Sequence, residues 1–169
     1  QALGPGLQSV ILYGSAAAGD HVGKRSDYNV LVIAKKLGIT ELTTLAKPSI
    51  AWRRAGNPSP LFFTLDRLQK SADTFPIELL DIKESHRVLF GNDAIKEVQV
   101  HTDNLRLILE HELKSNLIRL RENFLLTEAK PKRVANLMIE SLSTFLVLFR
   151  AALRLYQKEV PPLKLDALR

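Results

Sequence analysis

Residues 10–33, VILYGSAAAGDHVGKRSDYNVLVI, decide how the rest of the chain is read. An apolar run (Val10, Ile11, Leu12, Tyr13) meets Gly14-Ser15, four small residues follow, and eleven residues separate Ser15 from Asp27-Tyr28-Asn29 and a second apolar run over 30–33. This order predicts a strand, a tight turn into a helix start, a loop, and a second strand with polar groups at its entrance. Side chains alternate along a strand, so Asp27 and Asn29 share one face and Tyr28 takes the other. Two oxygen-bearing side chains beside a Gly-Ser turn make a seat for a metal-bound phosphate. Gly14 has no side chain to keep an anion off the backbone amides, Ser15 adds a hydroxyl, and a helix start adds partial positive charge. Lys24 and Arg25, in the loop ahead of Asp27, are the cations placed to meet phosphate oxygens.

Working outward, 41–54 reads as a helix capped by the Thr40 hydroxyl, with Leu42, Leu45, Ile50 and Trp52 apolar. Pro48 inside it predicts a kink or a division into two helices. The run GNPSP over 56–60 is a stop, and 61–65 (LFFTL) reads as a third strand followed by a short helix over 66–71. Residues 75–82 (FPIELLDI) read as a strand with Pro76 at its start. Glu78 then falls among apolar neighbours, where a carboxylate is costly to bury without a partner. That makes Glu78 the candidate third oxygen ligand, ahead of Asp81 on the opposite face. His86 and Arg87 open a last short strand over 86–90, His86 being read as a surface or capping residue.

With Gly14, Ser15 and Asp27 at these spacings, the chain resembles the nucleotidyltransferase superfamily related to DNA polymerase beta, in particular its small bacterial members with a C-terminal helical domain. The family motif is Gly-Ser at a strand-to-helix turn, about ten residues of loop, Asp-x-Asp or Asp-x-Glu at a strand start, and a third carboxylate on a later strand. The resemblance covers residues 9–91 and, beyond them, architecture alone. It implies an α/β fold: a mixed twisted sheet of four or five strands flanked by helices, then an all-α bundle. It also implies that Gly14 and Ser15, helped by Lys24 and Arg25, hold the phosphates of a nucleoside triphosphate. Asp27, Asn29 and Glu78 would hold Mg²⁺ or Mn²⁺, and an NMP group would pass to a hydroxyl acceptor. Asn29 stands where the family has its second acid. An amide oxygen can coordinate Mg²⁺ but brings no charge, so Asp27 and Glu78 alone would face up to four positive charges of a two-metal site. Two functions follow: transfer of NMP to a hydroxyl, or a degenerate nucleotide-binding or scaffold protein.

From Asn92 onward the texture is helical. Asp93 can cap a short turn, and Thr102 or Asp103 the long helix whose apolar stripe is Leu105, Ile108, Leu109, Leu113, Leu117, Leu120 and Phe124. Pro131 opens the next helix, expected to reach about residue 158. From 142 to 155 this helix is apolar almost all round, broken mainly by Arg150 and Arg154. Two helices cannot surround it, so it should meet the first domain, a further helix after 164, or a second subunit, with 134–156 as the homodimer or partner-helix surface. The domains are therefore read as 1–93 and 94–169. Arg106 and His111 match the Arg-x4-His spacing of HEPN ribonucleases, but the two lie about 140° apart around a helix and no polar residue follows the arginine.

The 169 residues suffice for one generous domain or two small ones, and 46% apolar with 25% charged content is ordinary for a globular protein. The net charge of +6 is thinly spread: 11 Lys and Arg against 9 Asp and Glu over 1–93, and 13 against 9 over 94–169. No dense basic run or aromatic-interleaved patch marks nucleic acid as a partner. Zero cysteines exclude disulfides and thiolate metal sites, as suits a cytoplasmic protein. No apolar run reaches the ~18 to 20 residues a membrane helix requires, so no span and no membrane partner are expected, and no leader pattern is present. Lacking an initiator Met and opening at QALGPG just before a strand, the chain is expected to lack some native N-terminal residues.

Overall fold

The computed structural model describes residues 2–19, 27–156 and 160; Lys24 and Arg25 lie outside them. The chain divides into two compact units, Gln1–Phe75 with Leu79–Val100, and Pro76–Glu78 with His101–Arg169.

In the first unit a four-stranded sheet has the order β3-β2-β1-β4. Strand β1 (Leu7–Tyr13) runs antiparallel to β2 (Asn29–Ala34) and to β4 (His86–Gly91), while β3 (Leu61–Phe63) is parallel to β2. A single turn, α1 (Ser15–Ala18), follows β1, and α2 (Ile39–Arg54) follows β2. Three more helices, α3 (Leu65–Lys70), α4 (Pro76–Glu84) and α5 (Ala94–Glu97), complete this part of the chain. Alternation along the strands divides the apolar residues between two faces. Ile11, Leu31 and Ile33 form a core with Leu68 of α3, Leu79 and Ile82 of α4, and Ile95 of α5. Val10, Val30, Val32 and Phe62 face the other way, into a cavity of about 240 Å³ completed by Leu45, Pro48 and Trp52 of α2.

Three local expectations are corrected. Residues 75–82 are not a strand: α4 starts at Pro76, whose fixed φ and missing donor suit the first helical position. Its buried residues, Pro76, Ile77, Leu79, Asp81 and Ile82, do not alternate as a strand's would. Thr40 does not cap α2; Glu41 reaches back to the Gly38 amide (2.7 Å), and the Thr44 hydroxyl bonds the Thr40 carbonyl. Of the two outcomes expected at Pro48, a kink or a division, the division does not occur, since α2 runs as one helix. The long helix α6 (Leu105–Leu126) begins after Asn104 without a side-chain cap from Thr102 or Asp103. By contrast, Asp93 does cap α5, accepting from the Lys96 amide at 3.2 Å.

The second unit holds α6 and α7 (Pro131–Leu155), packed on each other. Leu146, Leu148, Arg150 and Ala151 of α7 are buried, whereas its first half is largely exposed. Helix α7 is long and apolar enough on average to cross a membrane, which a search for uninterrupted apolar runs misses because Glu140 and Arg150 interrupt it.

Candidate nucleotide site

Strand β1 ends at Tyr13, whose register partners are Asn29 on β2 and His86 on β4. The chain then leaves the sheet through Gly14 at φ 76° and ψ −153°. Only glycine populates that region readily, so the residue is dictated by the backbone and not merely tolerated. The Gly14 amide donates to the Ser85 carbonyl (3.1 Å), tying the turn to the start of β4. Its carbonyl accepts from the amides of Ala17 and Ala18 (2.9 and 3.0 Å), which forms the one turn of α1. Ser15 and Ala16 are the first two residues of that turn, and no carbonyl within it can take their amides. These amides and the half-buried Ser15 hydroxyl are what the turn presents to an anion. A four-residue helix adds little dipole, so the expected help from a helix N-terminus is small.

Asn29, the first residue of β2, stands beside the turn: a β-carbon built on Gly14 would lie 3.4 Å from Asn29 Nδ2. Asp27 is exposed two residues earlier, and the backbone between them is anchored by the Tyr28 amide donating to Asn57 Oδ1 (3.1 Å). Gly14, Ser15 and Asn29 are thus brought together, with Asp27 at the entrance of the same strand. Glu78 is placed differently. It is exposed in the first turn of α4, where its charge suits the positive helix end, and it belongs to the second compact unit. The reason for choosing it, an acid buried in mid-strand, falls away with the strand. The later strands, β3 (LFF) and β4 (HRVLFG), carry no carboxylate. Among the described residues no group of three or more His, Asp or Glu lies close enough to cage a metal ion.

Two groups around the turn went unread in the sequence. Asn57 sits in GNPSP, which signals a stop and says nothing of a tether to β2. His86 and Asp93 form a pair: Nε2 lies 3.0 and 3.1 Å from the two Asp93 oxygens, and Nδ1 lies 3.0 Å from the Lys83 carbonyl. With both ring nitrogens engaged by protein oxygens, His86 braces β4 against α5 and has no nitrogen left for a substrate. Burial alone would raise the Asp93 carboxyl, but hydrogen bonds from His86 and the Lys96 amide hold it below the usual carboxylate value. Burial pushes the Tyr13 phenol up, so the residue between Asn29 and His86 stays neutral. Arg106 lines a cavity between the ends of α6 and α7 with Glu110 and Lys114, whereas His111 is outside that lining, exposed and 3.5 Å from Glu112.

A mixed sheet whose first strand ends in a glycine-only turn before an Asp-x-Asn strand, followed by a helical hairpin, is the nucleotidyltransferase fold, and this chain has it. A solved structure to which it is similar is spectinomycin adenyltransferase AAD(9) from Enterococcus faecialis, determined with ATP and spectinomycin. The likeness has a TM-score of 0.58 over 98% of this chain and 75% of that one, at 15% sequence identity, and is therefore a likeness of fold. No protein-family model matches the chain, and no curated protein sequence does.

Proposed function

We propose that this protein binds a nucleoside triphosphate with one Mg²⁺ or Mn²⁺ at the Gly14-Ser15 turn, and that transfer of the NMP group is slow or lost. The observation that carries this reading is the contrast inside the site. The glycine-only turn is tied to β4, while among the described residues the acid at the entrance of β2 is Asp27, beside the neutral Asn29. Phosphate contacts need amides and a hydroxyl, which are present. In-line transfer needs two cations to clamp the attacking and leaving oxygens, and these need several carboxylates. Asp27 and the Asn29 amide oxygen fit one cation that arrives already neutralised by the triphosphate. Bound there, that cation would offset phosphate charge; the turn's amides and Ser15 would orient the phosphate tail. The reading supports a regulatory or scaffolding role better than rapid turnover. A second reading keeps transfer to a hydroxyl acceptor. It is favoured by the shared fold with an enzyme whose structure holds ATP and spectinomycin.

Isothermal titration with ATP, CTP, GTP and UTP, with and without Mg²⁺ or Mn²⁺, tests the proposal. Metal-dependent binding of at least one triphosphate is expected, weakened more than about tenfold by Asp27→Asn and changed less than about twofold by Glu78→Gln. Asn29→Asp should tighten Mn²⁺ binding about tenfold or more by returning a charge to the site. No binding at millimolar triphosphate overturns the proposal. Pyrophosphate release by the unmodified protein with a hydroxyl acceptor would move the conclusion to the second reading.

A further inference from the structure

We propose that the α6–α7 hairpin is one half of a four-helix interface completed by a second copy of this chain. The inference stands on the second unit alone and does not depend on the nucleotide reading. Each helix carries an apolar row at the spacing four, three, four: Leu113, Leu117, Leu120 and Phe124 on α6, and Met138, Leu142, Phe145 and Phe149 on α7. That spacing keeps one seam along a helix facing a partner helix. Leu120 and Phe145 line one small cavity with Leu137 and the polar Asn116, Arg119, Asn123, Ser141 and Thr144, so the two rows adjoin across a strip that is apolar along the rows and polar between them. Phe145 and Phe149 stiffen it through a tilted ring contact at 6.3 Å.

The strip is open. Leu117 is 41% exposed, Phe124 46%, Met138 65%, Leu142 41% and Phe149 38%. With roughly 150–200 Å² per large apolar side chain, these five leave on the order of 400 Å² uncovered. Two-fold symmetry doubles this to about 800–900 Å² of apolar area, which a polar rim brings into the range of a stable interface. A second copy is the occupant the chemistry selects. From Ser141 to Phe149 α7 has no charge, so its image across a two-fold axis meets no like-charge conflict. The same feature gives no handle for an oppositely charged partner. A lipid surface is disfavoured because α6 would carry seven charged residues into it.

The full 169-residue chain should sediment as a dimer at micromolar concentration. Met138→Asp, at an exposed position that the fold does not need filled, should weaken the dimer at least a hundredfold while leaving far-ultraviolet circular dichroism unchanged. Leu107→Asp, equally exposed but off the strip, should leave the dimer intact. Because the chain has no cysteine, Leu142→Cys supplies an independent test, in which mild oxidation should give a covalent dimer. A monomer at 100 μM, a dimer indifferent to Met138→Asp, or co-sedimentation with phosphatidylcholine and phosphatidylglycerol vesicles in place of self-association would each overturn the proposal.

Discussion

The sheet and the hairpin solve the problem of burying apolar residues in opposite ways. The sheet closes its main core within its own unit, where Ile11, Leu31, Ile33 and Ile95 are essentially inaccessible beneath α3, α4 and α5. The hairpin has two helices and more apolar rows than two helices can cover, so Met138 and its neighbours stay exposed. A sheet with helices on one face encloses a volume, whereas a helix pair encloses little more than a line. The sheet should therefore be sensitive to changes inside it, and the hairpin to what is bound against it.

The largest expected effect falls on the sheet. Gly91 ends β4 at φ 74°, and any β-carbon there would run into the Gln8 carbonyl on β1. Backbone opposes backbone at that point, so no side chain can swing away. Gly91→Ala should cost on the order of 2–4 kcal/mol, from the left-handed strain and the displaced strand together. Urea denaturation followed by circular dichroism measures it. An unchanged midpoint would mean that the β1–β4 pairing does not limit the stability of the sheet, and the comparison would fail at its stronger end.

Legibility in the sequence divides along the same line. The two strands flanking the Gly-Ser turn were readable because short continuous apolar runs bounded by turn residues, and a run of small residues between them, are local signals. Asn29 and Gly14 come together through the Tyr13–Asn29 register, which a connection this long leaves open until the strands pair. Residues 75–82 misled because a short run of apolar residues broken by Glu78 reads well enough as a strand, while Pro76 at the first helical position points to a helix. Burial settles such a case, and a short apolar segment does not reveal its burial. The error travelled to Glu78, whose assignment as a ligand depended on the strand. The His86–Asp93 brace was hidden for another reason: it joins a strand to a helix cap through geometry that no spacing rule records.

An intermediate effect is expected on acidification, again mainly in the sheet. The folded Asp93 carboxyl lies below its unfolded value, so its bonds contribute stability fully above the unfolded value near pH 4. That contribution is lost as pH falls through the lower folded value. Glu110 and Glu128 of the hairpin are also lowered, by Lys114 and by Lys130 with Arg133, but they are fully exposed and water screens them. Unfolding midpoints measured between pH 5 and pH 2 should fall less steeply in Asp93→Asn than in the unmodified protein. Lys114→Ala should leave the slope nearly unchanged. The reverse order would show that exposed helix pairs, not the brace, carry the acid sensitivity.

The smallest effect sharpens the comparison at the hairpin's turn. Among the described residues of the sheet unit the positive φ angles fall on glycines, including Gly14 and Gly91, whereas the α6–α7 turn places Glu128 at φ 55° and Ala129 at φ 52°. Glu128 has a local reason to stay, since its carboxylate bridges Lys130 (2.7 Å) and Arg133 (2.6 Å). Ala129 has only its amide's bond to the Thr127 hydroxyl (3.2 Å), which a glycine would keep. Its left-handed backbone costs about 1 kcal/mol or slightly more, and the extra freedom of glycine in the unfolded chain returns part of that. Ala129→Gly should therefore stabilise by roughly 0.5 kcal/mol, visible as a small rise in the urea midpoint at constant slope. Glu128→Gly relieves the same strain but removes both ion pairs, and should gain less. If Ala129→Gly instead destabilises, the turn is held by contacts that favour alanine, and the hairpin is less strained than its backbone angles indicate.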